Sequence, residues 1–311
     1  MEIPGWFLES EVREGFYITA EMKRFWASTL RILEEIREIC GRHNITWWMD
    51  WGALLATVRH GGFIPWDDDI DISMLRADYH RFLDAAAKEL SPGYQICNIQ
   101  TMPEWDDYIS RIDTTFETNE NEALFARQYG SPYMTGVDVH PMDYYSPKLD
   151  QAFTDIVKPV TVLASLLDPY GKYEDAVQYH DFINAIEKAA GLRFNREKPL
   201  AQQLRKYCEQ IMSCVKKKDA TGAVLMGAHL VNDGIQAILP VSWYEEFIEM
   251  PYEFMTVPVP LHYDAMLRGK FGNYMTPIRN SGMHDYPLYD KQVEYVREHF
   301  ASVTLPAYRY G

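Results

Sequence analysis

The chain has 311 residues, 47% of them hydrophobic, and carries 30 Lys and Arg against 45 Asp and Glu, a formal net charge of -15. That is enough apolar sequence for one large core or two packed lobes, and a pI near 5.0 excludes non-specific nucleic-acid binding, which needs a basic face to displace condensed counterions. No apolar stretch reaches membrane-span length, the N-terminus lacks a secretory pattern, and Cys40, Cys97, Cys208 and Cys214 have neither disulfide-framework nor zinc spacing, so the expectation is a cytoplasmic protein with reduced thiols and at most a peripheral membrane contact.

From Thr19 to Arg42, Met22, Phe25, Trp26, Leu30, Leu33, Ile36 and Ile39 recur every three or four residues, which predicts a long amphipathic helix. Ile45–Met49 is β-prone and runs to Asp50-Trp51-Gly52, after which Ala53–His60 should form a short helix that Gly61-Gly62 breaks. Pro65 fixes the approach to a strand over Ile70–Met74, and a helix over Arg76–Leu90 should close at Ser91-Pro92-Gly93. Further strands are expected at Tyr94–Ile99, Tyr108–Asp113 and Thr135–Pro141, the last alternating so that Asp138 and His140 face one way. Beyond Pro147 the pattern turns helical, over Leu149–Leu167, Tyr173–Ala190 and Pro199–Cys214. Lys216–Asp219 reads as a solvated turn, Trp243–Phe247 as a turn, Tyr252–Val257 as a strand and Leu261–Arg268 as a helix. The fold class is therefore α/β of the α+β kind, a mixed N-terminal half over 1–147 and a mostly helical part over 148–311, expected as one compact unit.

Asp69-Ile70-Asp71-Ile72 sets two carboxylates at strand spacing i, i+2, so both point to one face while the isoleucines pack beneath. Two such carboxylates repel unless a cation lies between them, and magnesium or manganese is the natural occupant beside phosphates; a solvated acidic turn is the plainer alternative. Three elements can be assembled around this pair. Gly52 opens a helix whose N-terminal N–H groups suit a phosphate. Arg59, followed by His60, offers a fork for phosphate oxygens or, alternatively, a salt bridge to the aspartates. Asp138 could complete a carboxylate triad, bind a second metal or act as general base, the alternative being a buried carboxylate satisfied by backbone N–H groups.

The run Gly52-x-Leu54-Leu55-x-x-x-Arg59-His60, followed by Gly62-Phe63-Ile64-Pro65-Trp66-Asp67-Asp68-Asp69-Ile70-Asp71, resembles the signature of the LicD family, phosphocholine and related phosphotransferases with fukutin-related protein as a distant member. Gly136-Val137-Asp138-Val139-His140-Pro141-Met142-Asp143 is similar to the family's second block, and Leu267-x-x-x-Phe271-Gly272-Asn273-Tyr274-Met275-Thr276-Pro277 to a third. Ala53 stands where Thr or Ser is usual, and Ala56-Thr57 replaces a typical Gly-Ala. The resemblance implies a nucleotidyltransferase-like small mixed sheet flanked by helices, with Asp69 and Asp71 as metal ligands, Asp138 as third carboxylate, Asp67 at a further acidic position and Asp68 in a structural one. It also implies a CDP-linked donor and a glycan or glycolipid acceptor. Nucleotidyl transfer with pyrophosphate release, or a non-catalytic glycan- or nucleotide-binding module, are the alternative functions. Trp47, Trp48, Trp51 and Trp66 are cation-π candidates for a choline ammonium, or ordinary core, and His140 and His284 stand near the motif blocks.

Overall fold

The computed structural model describes residues 2–227, 238–278 and 298, with backbone alone at 116 and 117. These residues group into two compact units, one drawn from Met1–Ile96, Arg111–Val139 and Glu246–Gly311, the other from Cys97–Ser110 and His140–Glu245.

The first unit opens with a hairpin, β1 (Glu11–Arg13) and β2 (Phe16–Ile18), turned through Glu14 and Gly15 at φ 52° and 72°. Helix α1 (Ala20–His43) starts where the Thr19 hydroxyl accepts the Met22 N–H at 3.1 Å and stops at Asn44 in the left-handed region. Its apolar stripe, including Phe25, Trp26, Leu30 and Leu33, is fully buried, as the 3.6-residue period demands. Then follow β3 (Trp48–Met49), α2 (Trp51–His60), β4 (Asp71–Leu75), α3 (Arg76–Glu89), β5 (Tyr94–Cys97), β6 (Ser110–Thr114), α4 (Glu122–Arg127) and β7 (Gly136–Tyr145). The sheet is small and mixed, in the order β3-β4-β7-β6-β5, and Trp48 pairs Ser73 antiparallel. Ile70, Ile72, Val137 and Val139 pack with α1 and with Phe82 of α3 in one core.

The second unit takes β7 from His140, and Asp143, Tyr144 and Tyr145 pair with β8 (Gly222–Val224). Its helices are α5 (Lys158–Leu166), α6 (His180–Ala190) and α7 (Leu200–Met212), which bury Val160, Ile183 and Leu204 in a separate core. The helix expected over 149–167 is one helical stretch interrupted by a π turn at Phe153–Val157, just before Pro159, whose missing N–H removes a rung of the regular ladder. The stretch from Tyr173 to Tyr179 is a tight 3-10 segment kinked at Ala176, and only from His180 is the helix regular.

Back in the first unit, a second hairpin, β9 (Phe247–Tyr252) and β10 (Met255–Pro260), replaces the turn and single strand expected there. Pro251, Pro258 and Pro260 mark it as sequence unsuited to a central strand, and a two-stranded ladder tolerates them. Helix α8 (Tyr263–Phe271) ends at Gly272. Among the described residues no helix is long and apolar enough to cross a membrane.

Candidate active site

The acidic run is held before it reaches the sheet. The Trp26 indole N–H donates to Asp67 O and the Asp67 N–H to Ile64 O, both at 3.0 Å. Strand β4 begins at Asp71, so Asp69 sits in the lead-in and not in the ladder itself. Backbone bonds secure both sides: Ile70 O accepts the Asp138 N–H at 2.9 Å, and Asp71 O accepts the Asp50 N–H at 3.0 Å. With Ile70 and Ile72 fully buried, the alternation leaves Asp69 and Asp71 on the other face. Asp69, Asp71 and Asp138 each bring a carboxylate oxygen within 4.8 Å of the others, and Asp67, Asp68 and Asp69 do the same.

Crowded negative charge has measurable partners. Arg111 Nη1 donates to both oxygens of Asp138 at 3.0 Å, while its Nε reaches Asp113 Oδ1 at 3.3 Å. Burial, opposed by Arg111 and aided by Asp138, pushes the Asp113 carboxyl up to about 6. Asp67 is driven well above the carboxylate range by burial first, then by the charges of Asp69 and Asp68. Two carboxylic groups this close favour sharing a proton when no cation compensates them. Asp68 is 2% exposed, in keeping with a structural position.

Helix α2 supplies the next edge. Asp50 caps it, accepting the Trp51 N–H at 2.7 Å, and its buried carboxylate also takes Ser73 Oγ at 2.8 Å and Lys270 Nζ at 2.9 Å. Burial works to raise the Asp50 carboxyl, but Lys270 and these donors outweigh it and hold it below its ordinary value. The same ammonium lies 3.6 Å from the Trp51 ring centroid. A Cβ on Gly52 would stand 3.3 Å from Asp67 Oδ2, so the bare glycine lets the helix start approach that carboxylate. Arg59 Nη1 donates to Tyr274 O and its Nε to His60 Nε2, both at 2.7 Å, and His60 Nδ1 meets Glu14 Oε1 at 2.6 Å. Arg59 is thus bonded to His60 and to Tyr274 of the third motif block, and His60 to Glu14, neither of them to Asp69 or Asp71, and Arg59 Nη2 makes no hydrogen bond among the described residues.

Trp47 and Trp48 are buried core, while Trp66 packs edge-on to Phe16 and His60. His140 lies on β7 in the second unit, and His284 lies outside the described residues. Sequence reasoning missed Asp50, Arg111, Asp113 and Lys270. Arg111 and Asp113 carry the same i, i+2 signature as the acidic pair, on a strand whose face was not assigned. The two converging groups contain only carboxylate oxygens, a donor set that suits a hard divalent ion such as magnesium or manganese and not zinc.

Comparison with known proteins agrees in extent with this constellation. Residues 44–152 match the family model described as LicD/FKTN/FKRP, nucleotidyltransferase domain, a stretch that contains Gly52, Arg59, His60, Asp67, Asp69, Asp71 and Asp138. Over 67 residues the chain is 42% identical to the lipopolysaccharide cholinephosphotransferase LicD of Haemophilus influenzae, 22% of this chain and 25% of that protein. It is 31% identical over 98 residues to an uncharacterized protein of Rickettsia typhi, 30% of this chain and 32% of that one. The chain therefore spans a quarter to a third of the length of these relatives.

Proposed function

Because residues 44–152 belong to the LicD/FKTN/FKRP nucleotidyltransferase-domain family, we propose that this chain is a phosphotransferase, moving phosphocholine or a related alcohol phosphate from a CDP-linked donor to a hydroxyl of a cell-surface glycan or its precursor. The observation that carries it is the convergence of Asp69, Asp71 and Asp138, with oxygens within 4.8 Å of one another. The likeness to a cholinephosphotransferase supports the choice of transferred group. Magnesium or manganese held by these three carboxylates would neutralise the donor pyrophosphate and the charge that develops on the departing CMP.

The chain's own groups account for the rest. Arg59, fixed through Nη1 and Nε, has Nη2 left to hold a phosphate oxygen in place. Asp138, turned by Arg111, comes from a separate strand and takes the proton of the acceptor hydroxyl. That hydroxyl attacks the distal phosphorus in line, a new P–O bond forms, the bond to the CMP oxygen breaks, and CMP leaves. A cytoplasmic site of action goes with a nucleotide-linked donor.

Labelling both halves of CDP-choline separates this from nucleotidyl transfer. The acceptor should gain the choline together with its phosphorus while labelled CMP is released. Cytidine label on the acceptor would overturn the assignment in favour of attack at the phosphorus next to the nucleoside.

A further inference from the structure

The C-terminal end of α2 is clasped by two hairpin turns that come from outside residues 44–152. Each turn passes through a glutamate in the left-handed region, Glu14 at φ 52° and Glu253 at φ 50°. That conformation is sparsely populated for a residue with a side chain, and it persists where surrounding contacts over-determine it. Glu253 donates its N–H to Gly61 O at 2.8 Å, and its Oε1 accepts the Phe63 N–H at 3.1 Å and Arg13 Nη1 at 2.6 Å. A Cβ on Gly62 would stand 2.2 Å from Glu253 Oε1, so the bare glycine lets that carboxylate seat. Glu14 makes the other clasp, on His60 Nδ1 at 2.6 Å.

The second clasp goes with one tautomer of the imidazole. A guanidinium N–H can only donate, so His60 Nε2, 2.7 Å from Arg59 Nε, is the acceptor and carries no proton. The ring proton is therefore on Nδ1 and is donated to Glu14 Oε1. With both nitrogens engaged, His60 has none left for a phosphate. Its side chain is 2% exposed against 42% for Glu14, so a buried ring is held by a carboxylate that water reaches. The charged groups facing the ring are Glu14 and Arg13 of the first hairpin and Arg59 of α2, while Glu253 of the second hairpin is paired with Arg13. Burial, opposed by the Glu14 bond and aided by Arg59 and Arg13, holds the imidazole below its ordinary value and so neutral at pH 7. A protonated ring would have no lone pair for Arg59 and would add a positive charge beside it.

We propose that His60 is a positioning residue that acts through Arg59: the chain from Glu14 to His60 to Arg59, completed by Arg59 Nη1 on Tyr274 O at 2.7 Å, holds the guanidinium in one orientation with Nη2 presented to a donor phosphate oxygen. This rests on the proposed phosphate-holding role of Arg59. Setting a long side chain before the ligand arrives removes rotamer entropy that binding would otherwise cost.

Calorimetric titration of CDP-choline with magnesium present reads the effect. His60→Phe keeps the ring and removes both nitrogens, and it should weaken donor binding by about tenfold, with KM rising more than kcat falls. His60→Gln has an amide oxygen that can accept from Arg59 Nε and should recover most of the loss. Glu14→Gly eases the turn but leaves the Nδ1 proton without its fixed partner, and should weaken binding in the same direction. In nitrogen-15 imidazole spectra near neutral pH, the His60 signal, identified by its disappearance in His60→Gln, should report the Nδ1–H form. Acidification below about 6.5 should weaken donor binding by the wild type, and that component should be missing from the His60→Gln profile. Wild-type donor affinity in His60→Phe, or an Nε2–H ring, would overturn the positioning role alone. No donor binding by the wild type, or unchanged binding in Arg59→Gln, would overturn it together with the phosphate-holding reading.

Discussion

Asp71→Asn is expected to lower transfer by roughly 10²–10³-fold or more while leaving the fold in place. Asparagine keeps the side-chain shape and removes one negative charge from the triad. The backbone bond that fixes position 71, Asp50 N–H to Asp71 O, does not involve the side chain, and Ile70 and Ile72 remain packed beneath. Relieving repulsion between converging carboxylates should leave thermal stability without metal unchanged or slightly raised, because these groups pair poorly with one another in the absence of a cation. The measurement is turnover beside thermal unfolding, each with and without magnesium. A variant that loses activity and gains or keeps stability supports a liganding role, and an active one refutes it.

Lys270→Met should be the most destabilising single change at the edge of the site. It strips the ammonium from Asp50, which is 1% exposed and would be left as an uncompensated buried charge, a change that costs about 3–5 kcal/mol. The Lys270 side chain is 28% exposed, so water can reach its end of the pair and the lower part of that range is expected. Its cation-π contact with Trp51 is lost as well. The pH dependence has a definite sign. The Asp50 carboxyl is held below its unfolded value, so its stabilisation is fully present above that unfolded value, near 3.9, and is lost as the pH falls through the folded one. Without Lys270, the largest influence opposing burial is gone, and acid unfolding should begin at higher pH. Urea titrations across pH would show both effects, and the double variant Lys270→Met, Asp50→Asn should recover much of the loss because no buried charge then remains unpaired.

Local signals carried the helices and the acidic motif, while long-range pairs carried much of the site's support. Helix α1 was legible to within a residue at each end, because its stripe has the right period and Thr19 and Asn44 are cap residues that act locally. The grouping of Asp69, Asp71 and Asp138 was legible from the i, i+2 spacing and, through the resemblance, from the third carboxylate. The β9–β10 hairpin was not, since its prolines contradict ordinary strand patterning and its purpose depends on Gly61, Gly62 and Phe63 far away in sequence. Nor could periodicity place Lys270 on Asp50 or Arg111 on Asp138: a contact between residues 220 or 27 positions apart leaves no local trace. The N-terminal hairpin escaped notice because each strand has three residues, too few for an alternation to register.

The convergence of Asp69, Asp71 and Asp138 on one cation is the central claim, and anomalous scattering at the manganese edge from crystals soaked in Mn2+ and CDP-choline tests it most directly. The expected map has a peak about 2.1 Å from an oxygen of each of the three carboxylates, with the donor pyrophosphate beside it. A manganese peak elsewhere, or a well-ordered donor with no peak at these three residues, would contradict it.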